Sequence, residues 1–96
     1  MGYREDKIKV LEMISAKMLP FDIVETDQEV ILKDEDFVKE GLSLNAGIVI
    51  LKEIFMELIS SLNTKKTPDG STQIILLVSP RIDLYIREFK YPVPPI

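Results

Sequence analysis

The chain is 96 residues and 11.0 kDa, enough for one small domain whose core needs no covalent staple. Its 46% hydrophobic and 29% charged residues suit a folded soluble domain, and a net charge of −4 with a pI near 4.8 weighs against a general binder of nucleic acid or anionic lipid. There is no cysteine and no histidine, which excludes disulfides, zinc–thiolate centres, histidine metal ligands and Ser-His or Cys-His catalysis.

Residues 5–18 read as an amphipathic helix. Ile8, Leu11, Ile14 and Met18, with Val10, recur at helical spacing, while Lys7, Lys9, Glu12 and Lys17 fill the other side. Glu5 and Asp6 stand in its first turn, where the helix dipole favours acids, and Pro20 stops it. Two short strand-like segments follow, Phe21–Thr26 and Glu29–Lys33, with Asp27-Gln28 between them as a hairpin turn. Asp34–Glu40 is a charged connector of one helical turn, capped by Asp34 or Asp36 and ended at Gly41.

The spacing next predicts a long helix from Ser43 or Asn45 to Asn63. Ile48, Leu51, Phe55, Leu58, Ile59 and Leu62 form its apolar stripe, and Ser43 or Asn45 is its N-cap. Thr67-Pro68-Asp69-Gly70 is a turn, because proline presets φ and glycine tolerates the reversal. Thr72–Ser79 is the clearest strand, Pro80 interrupts it, and Arg81–Lys90 reads as its antiparallel partner. Tyr91–Ile96, with prolines at 92, 94 and 95, forms an extended tail that cannot join a ladder.

The expected fold is therefore a single α+β domain over residues 1–96, in the order αββαββ. It would hold a four-stranded antiparallel sheet with two helices packed on one face. Its longest apolar run, Ala46–Leu51, is far short of the roughly 20 residues that a membrane span needs. The opening residues carry neither an apolar signal stretch nor a Ser or Thr at position 6 for myristoylation. A cytoplasmic location is the resulting expectation. The abundance of Ile, Lys and Glu, and the scarcity of Asn and Gln, resemble a heat-adapted composition.

Few residues carry reactive chemistry. Asp34-Glu35-Asp36, with Glu40 nearby, is the one dense carboxylate cluster, but its spacing fits no calcium loop, and helix capping accounts for it. Gly41-Leu42-Ser43-Leu44-Asn45 superficially resembles a nucleophile elbow, yet its last glycine is missing and no histidine exists to serve as base. The four glycines form no phosphate-binding fingerprint. No catalytic residue, metal or cofactor is assigned, and the chain is expected not to be an enzyme.

The strand faces are more informative. In Arg81–Lys90, alternation sends Ile82, Leu84 and Ile86 to the core and Arg81, Tyr85, Arg87 and Phe89 outward. In Thr72–Ser79 both faces are apolar, which leaves Ile75 and Leu77 outward on the same side, with Val24 and Ile31 as possible neighbours. An apolar patch of this kind on an otherwise uncovered sheet face marks a contact surface, or else the seat of the C-terminal tail folded back with Val93 and Ile96 as cover. Ile75, Leu77, Arg81, Tyr85, Arg87 and Phe89 are accordingly the expected interface residues, the apolar ones as buried contacts and the arginines as rim partners. Charge is uneven as well: Asp22–Glu40 is acid-rich and the chain from Thr64 on is base-rich, which fits a solvated acidic hairpin first and, as the functional alternative, an acidic end of one subunit approaching a basic end of another.

The expected function is a non-catalytic protein-interaction or assembly module, as a homodimer or with another protein partner. The alternative is a nucleic-acid-binding accessory protein using the basic and aromatic face of the last strand. Asp83 in the middle of that strand and the overall acidity weigh against it.

Overall fold

The first helix, α1 (Tyr3–Ala16), carries Glu5 and Asp6 in its first turn, where the helix dipole favours acids. Its stripe of Val10, Leu11 and Ile14 is fully buried. The segment that follows is pinned by one side chain: Gln28 accepts from the Leu19 N–H at 2.8 Å and donates to the Leu19 carbonyl at 3.1 Å. The computed structural model describes residues 3–20 and 25–91. Residues 21–24 of the first expected strand and 92–96 of the expected tail lie outside the described residues, and Glu25–Asp27 are not strand.

Six further elements follow in the described residues: β1 (Gln28–Lys33), α2 (Asp34–Lys39), α3 (Leu44–Glu53), β2 (Ile59–Lys66), β3 (Thr72–Val78) and α4 (Ile82–Lys90). The fold is α+β, but among the described residues the sheet has three strands where four are expected, and there are four helices where two are expected. The sheet is antiparallel with order β1-β3-β2. β1 and β3 send alternate residues into one apolar core. Val30, Leu32, Ile74, Leu76 and Val78 are buried there against Leu11, Ile14, Phe37, Leu51 and Ile82 from the helices. The core side of the sheet carries the helical layer, as the packing of one apolar face against another requires.

Two expected elements are corrected. The long helix predicted to reach Asn63 ends at Glu53, and β2 begins six residues later. Ser60, Ser61, Asn63 and Thr64 are weak helix formers, whereas β3, apolar on both faces, needs a hydrogen-bonded neighbour along each edge. The i, i+3 spacing of Ile59 and Leu62, which resembles a helical stripe, has another cause. A register shift between Ile59 and Ser61 makes Ser60 an extra residue, so Ile59 pairs with Val78 and Leu62 with Leu76, both on the core side.

The second correction is α4, which replaces the expected strand over Arg81–Lys90. Ile82, Tyr85, Ile86 and Phe89 fit a helical face as well as Ile82, Leu84 and Ile86 fit a strand face. The local chemistry selects the helix. Ser79-Pro80 opens it, the Ser79 hydroxyl accepts from the Arg81 N–H at 3.1 Å, and the Arg81 carbonyl accepts from the Tyr85 N–H at 2.9 Å. Asp83 stands in the first turn, and Arg87 and Lys90 in the last. Docking on α1 completes the choice, through Ser15 Oγ–Asp83 at 2.6 Å and Lys90–Glu12 at 3.1 Å.

The β2–β3 turn forms as its sequence requires, with Gly70 at φ 90°. The Asp69 carboxylate accepts from the Ser71 N–H at 3.1 Å and from the Thr67 hydroxyl. These bonds, that of the Thr67 hydroxyl first, hold its pKa at about 2, below the ordinary 3.8. Because the folded value is the depressed one, the carboxylate's stabilisation of the hairpin is present above pH 3.8 and is lost as pH falls towards 2. A carboxyl NMR titration should show Asp69 titrating near pH 2, and Asp69→Asn should remove the turn's chemical-shift change over that range. An ordinary midpoint would mean that the turn does not hold the carboxylate.

Candidate functional site

Reactive chemistry finds little support in the geometry. Among the described residues no group of three or more acidic side chains is placed to hold a metal ion. The Asp34–Asp36 cluster forms the first turn of α2, where Asp36 accepts from the Lys33 N–H at 2.8 Å and pairs with Lys17 at 3.5 Å. Ser43 is the N-cap of α3, its hydroxyl accepting from the Ala46 N–H at 3.1 Å. Both groups have structural work.

The six expected interface residues lie on two separate surfaces. Ile75 and Leu77 stand on the outer face of β3 as expected. Arg81, Tyr85, Arg87 and Phe89 do not share that face, because they belong to α4 and the turn before it. Tyr85 and Phe89, four residues apart on the helix, are stacked with ring centroids 6.4 Å apart and planes 15° from parallel. Cations of α1 lie over these rings: Arg4 is 5.0 Å from the Phe89 centroid, and Lys7 is 5.5 Å from Tyr85 and 5.1 Å from Phe89. These rings therefore serve the α1–α4 contact and are not an open platform for stacking bases. Arg81 and Arg87 are exposed.

Sequence reasoning missed Met56 altogether. It is 83% exposed at φ 78°, in the tight connection between α3 and β2, and borders a shallow groove with Leu84 and Arg81. The left-handed conformation costs an L-residue about 1–2 kcal/mol, while glycine's extra unfolded-state freedom returns roughly half of that. Met56→Gly should therefore stabilise the fold by about 0.5–1 kcal/mol, read as a higher urea midpoint at unchanged slope. A lower midpoint would mean that the methionine side chain contributes packing that its exposure does not suggest. No sequence signal marks this strain, since helical spacing runs straight through the position.

The outer sheet face is the surface that the ladder assembles most clearly. Register places three cross-strand rows side by side: Lys33–Gln73–Lys65, Ile31–Ile75–Asn63 and Glu29–Leu77–Ser61. Partners in a row share one face of the sheet, and the alternating burial of β1 and β3 identifies that face as the outer one. Ile31 is 41% exposed and Leu77 37% exposed, with Ile75 between them. The face is thus basic at the end near the β2–β3 turn, aliphatic in the middle and acidic at the far end. Asp27 extends the acidic end and accepts from the Ser60 hydroxyl at 3.1 Å. Val24, the other expected neighbour, lies outside the described residues.

Among the described residues no helix is long and apolar enough to cross a membrane. Compared with protein-family models, curated proteins and solved structures, the chain matches none.

Proposed function

We propose that this chain is a non-catalytic interaction module that associates with a second copy of itself through the outer face of its sheet. The observation that carries the reading is the aliphatic centre of that face, where Ile31 and Ile75 are direct cross-strand partners and Leu77 lies one row away. An antiparallel sheet with one face in water normally alternates apolar-in with polar-out, and three outward aliphatics in adjacent rows depart from that rule. Around them stand Gln73, Asn63, Ser61, Lys33, Lys65 and Glu29, the arrangement of an apolar interface centre with a polar rim.

The test is sedimentation velocity over a concentration series. The wild type should show a monomer–dimer equilibrium, and Ile75→Lys should weaken it by about 30-fold or more, the effect of losing a central contact residue. Ile75 sits on the outer face, so circular dichroism should report an unchanged fold. A wild type that stays monomeric at the highest soluble concentration, or a dimer indifferent to Ile75→Lys, overturns the reading.

A further inference from the structure

Resting on that reading, we infer that the two copies meet with their strands running in opposite directions, so that Lys33 of each opposes Glu29 of the other. The argument is one of symmetry and charge. A closed homodimer requires a two-fold axis lying between the two faces, and sheets packed in the aligned mode keep their strands within about 30° of each other. Two orientations satisfy both conditions. An axis parallel to the strands lays β1 of one copy over β2 of the other, which puts Lys33 over Lys65 and Glu29 over Ser61. An axis perpendicular to the strands, passing through Ile75, lays each strand over its own counterpart in reverse.

In the perpendicular case Ile31 meets Ile31, Ile75 meets Ile75 and Lys33 lies over Glu29. The last pairing occurs twice because of the symmetry. Lys33 and Glu29 are four residues apart on β1, about 13 Å along the strand. The central row therefore packs Ile31 on Ile31, Ile75 on Ile75 and Asn63 on Asn63, with Leu77 over Gln73 and Lys65 over Ser61, while opposite charges on β1 close both ends. The parallel axis keeps Ile75 on Ile75 and Leu77 on Leu77, but it brings two lysines together at each of its like-charged contacts, leaves both glutamates unmatched and sets Ile31 over Asn63. The polarity of the face selects the reversed arrangement.

Charge reversal on these two positions tests the orientation separately from the existence of the dimer. Lys33→Glu should weaken self-association about tenfold at low salt, since two exposed like-charge contacts replace two favourable ones. Glu29→Lys should weaken it similarly. That second result is diagnostic, because a protein of net charge −4 would associate more readily on gaining positive charge if only overall repulsion mattered. Lys33→Glu mixed with Glu29→Lys should form a heterodimer preferentially over either homodimer, and the doubly exchanged chain should recover affinity to within about threefold of wild type.

Opposite results overturn the inference. If Lys33→Glu tightens the dimer, the new acid faces Lys65 and the axis is the parallel one. If both single variants dimerise like wild type, the rows are not in register across the interface. Because the chain has no cysteine, a mixture of Lys33→Cys and Glu29→Cys chains gives a second reading. Crosslinking between unlike chains supports the reversed packing, and crosslinking of Lys33→Cys only to Lys65→Cys overturns it. Loss of dimer in wild type, or indifference to Ile75→Lys, is the separate failure of the underlying reading.

Discussion

Phe37→Ala should be the most damaging single truncation in the chain, lowering stability by about 3–5 kcal/mol. That loss is a large share of the roughly 5–15 kcal/mol that holds a domain together. Phe37 is fully buried, yet it is carried by α2, a helix of only six residues. An isolated helix of that length has no stability of its own, so tertiary contacts must hold it. Its other attachments are modest: the Lys33 N–H to Asp36, the ion pair of Asp36 with Lys17, and the Leu42 N–H to the Phe37 carbonyl at 2.9 Å. Removing the ring leaves a cavity against α3 and takes away the main anchor of α2. Urea unfolding should show the lower midpoint, and amide exchange in residues 34–39 should accelerate beyond the global change. A loss below about 1 kcal/mol would mean that α2 is not anchored by this ring.

The second expectation has the opposite sign to what helix propensity suggests. Gly47 lies in the middle of α3 and is buried, where replacing glycine by alanine ordinarily stabilises by about 1 kcal/mol. Here an added Cβ would fall on the Cε1 and Cδ1 atoms of Phe37, with Cζ only 3.1 Å away. Those atoms belong to a fully buried ring. Overpacking of this kind costs about 1–3 kcal/mol and occasionally more, so Gly47→Ala should destabilise the protein by about 2 kcal/mol net. The two sites are in contact, so their effects should not add. With Phe37→Ala already present, the cavity accommodates the methyl group and Gly47→Ala should become stabilising by about 1 kcal/mol. A double-mutant cycle without that reversal of sign would show that the glycine is not there to admit the ring.

Neither residue announces this role in the sequence. Gly47 reads as a flaw in a helix and Phe37 as one aromatic in a charged connector. Their relation becomes visible only when α2 folds back on α3. The interface residues divide in the same way. Ile75 and Leu77 were legible because the strand Thr72–Val78 is apolar on both faces, which is local information. A period-2 reading puts Tyr85 and Phe89 on the same face, but the segment fits period 3.6 equally well. Ser79-Pro80, Asp83 and the terminal Arg87 and Lys90 are helix signals present in the sequence itself, and weighing them above the alternation would have placed both rings on a helix.

Local chemistry by itself determined several features of this protein: the first helix with its acidic start, the Ser43 cap, the Pro68-Asp69-Gly70 turn, and the strands over 28–33 and 72–78. In each of these, the residues that choose the conformation are the ones that adopt it. The tertiary structure decided that the segment after Glu53 leaves the helix for a strand, and docking on α1 reinforced the helix that local signals favour over residues 82–90. Both segments carry apolar residues at spacings compatible with either state. A bulge at Ser60 lets an i, i+3 pair face the core from a strand, and β3 needs a partner along each of its edges. For the segment after Glu53 a long-range demand, the otherwise unpaired edge of the central strand, outweighs the small propensity differences within it.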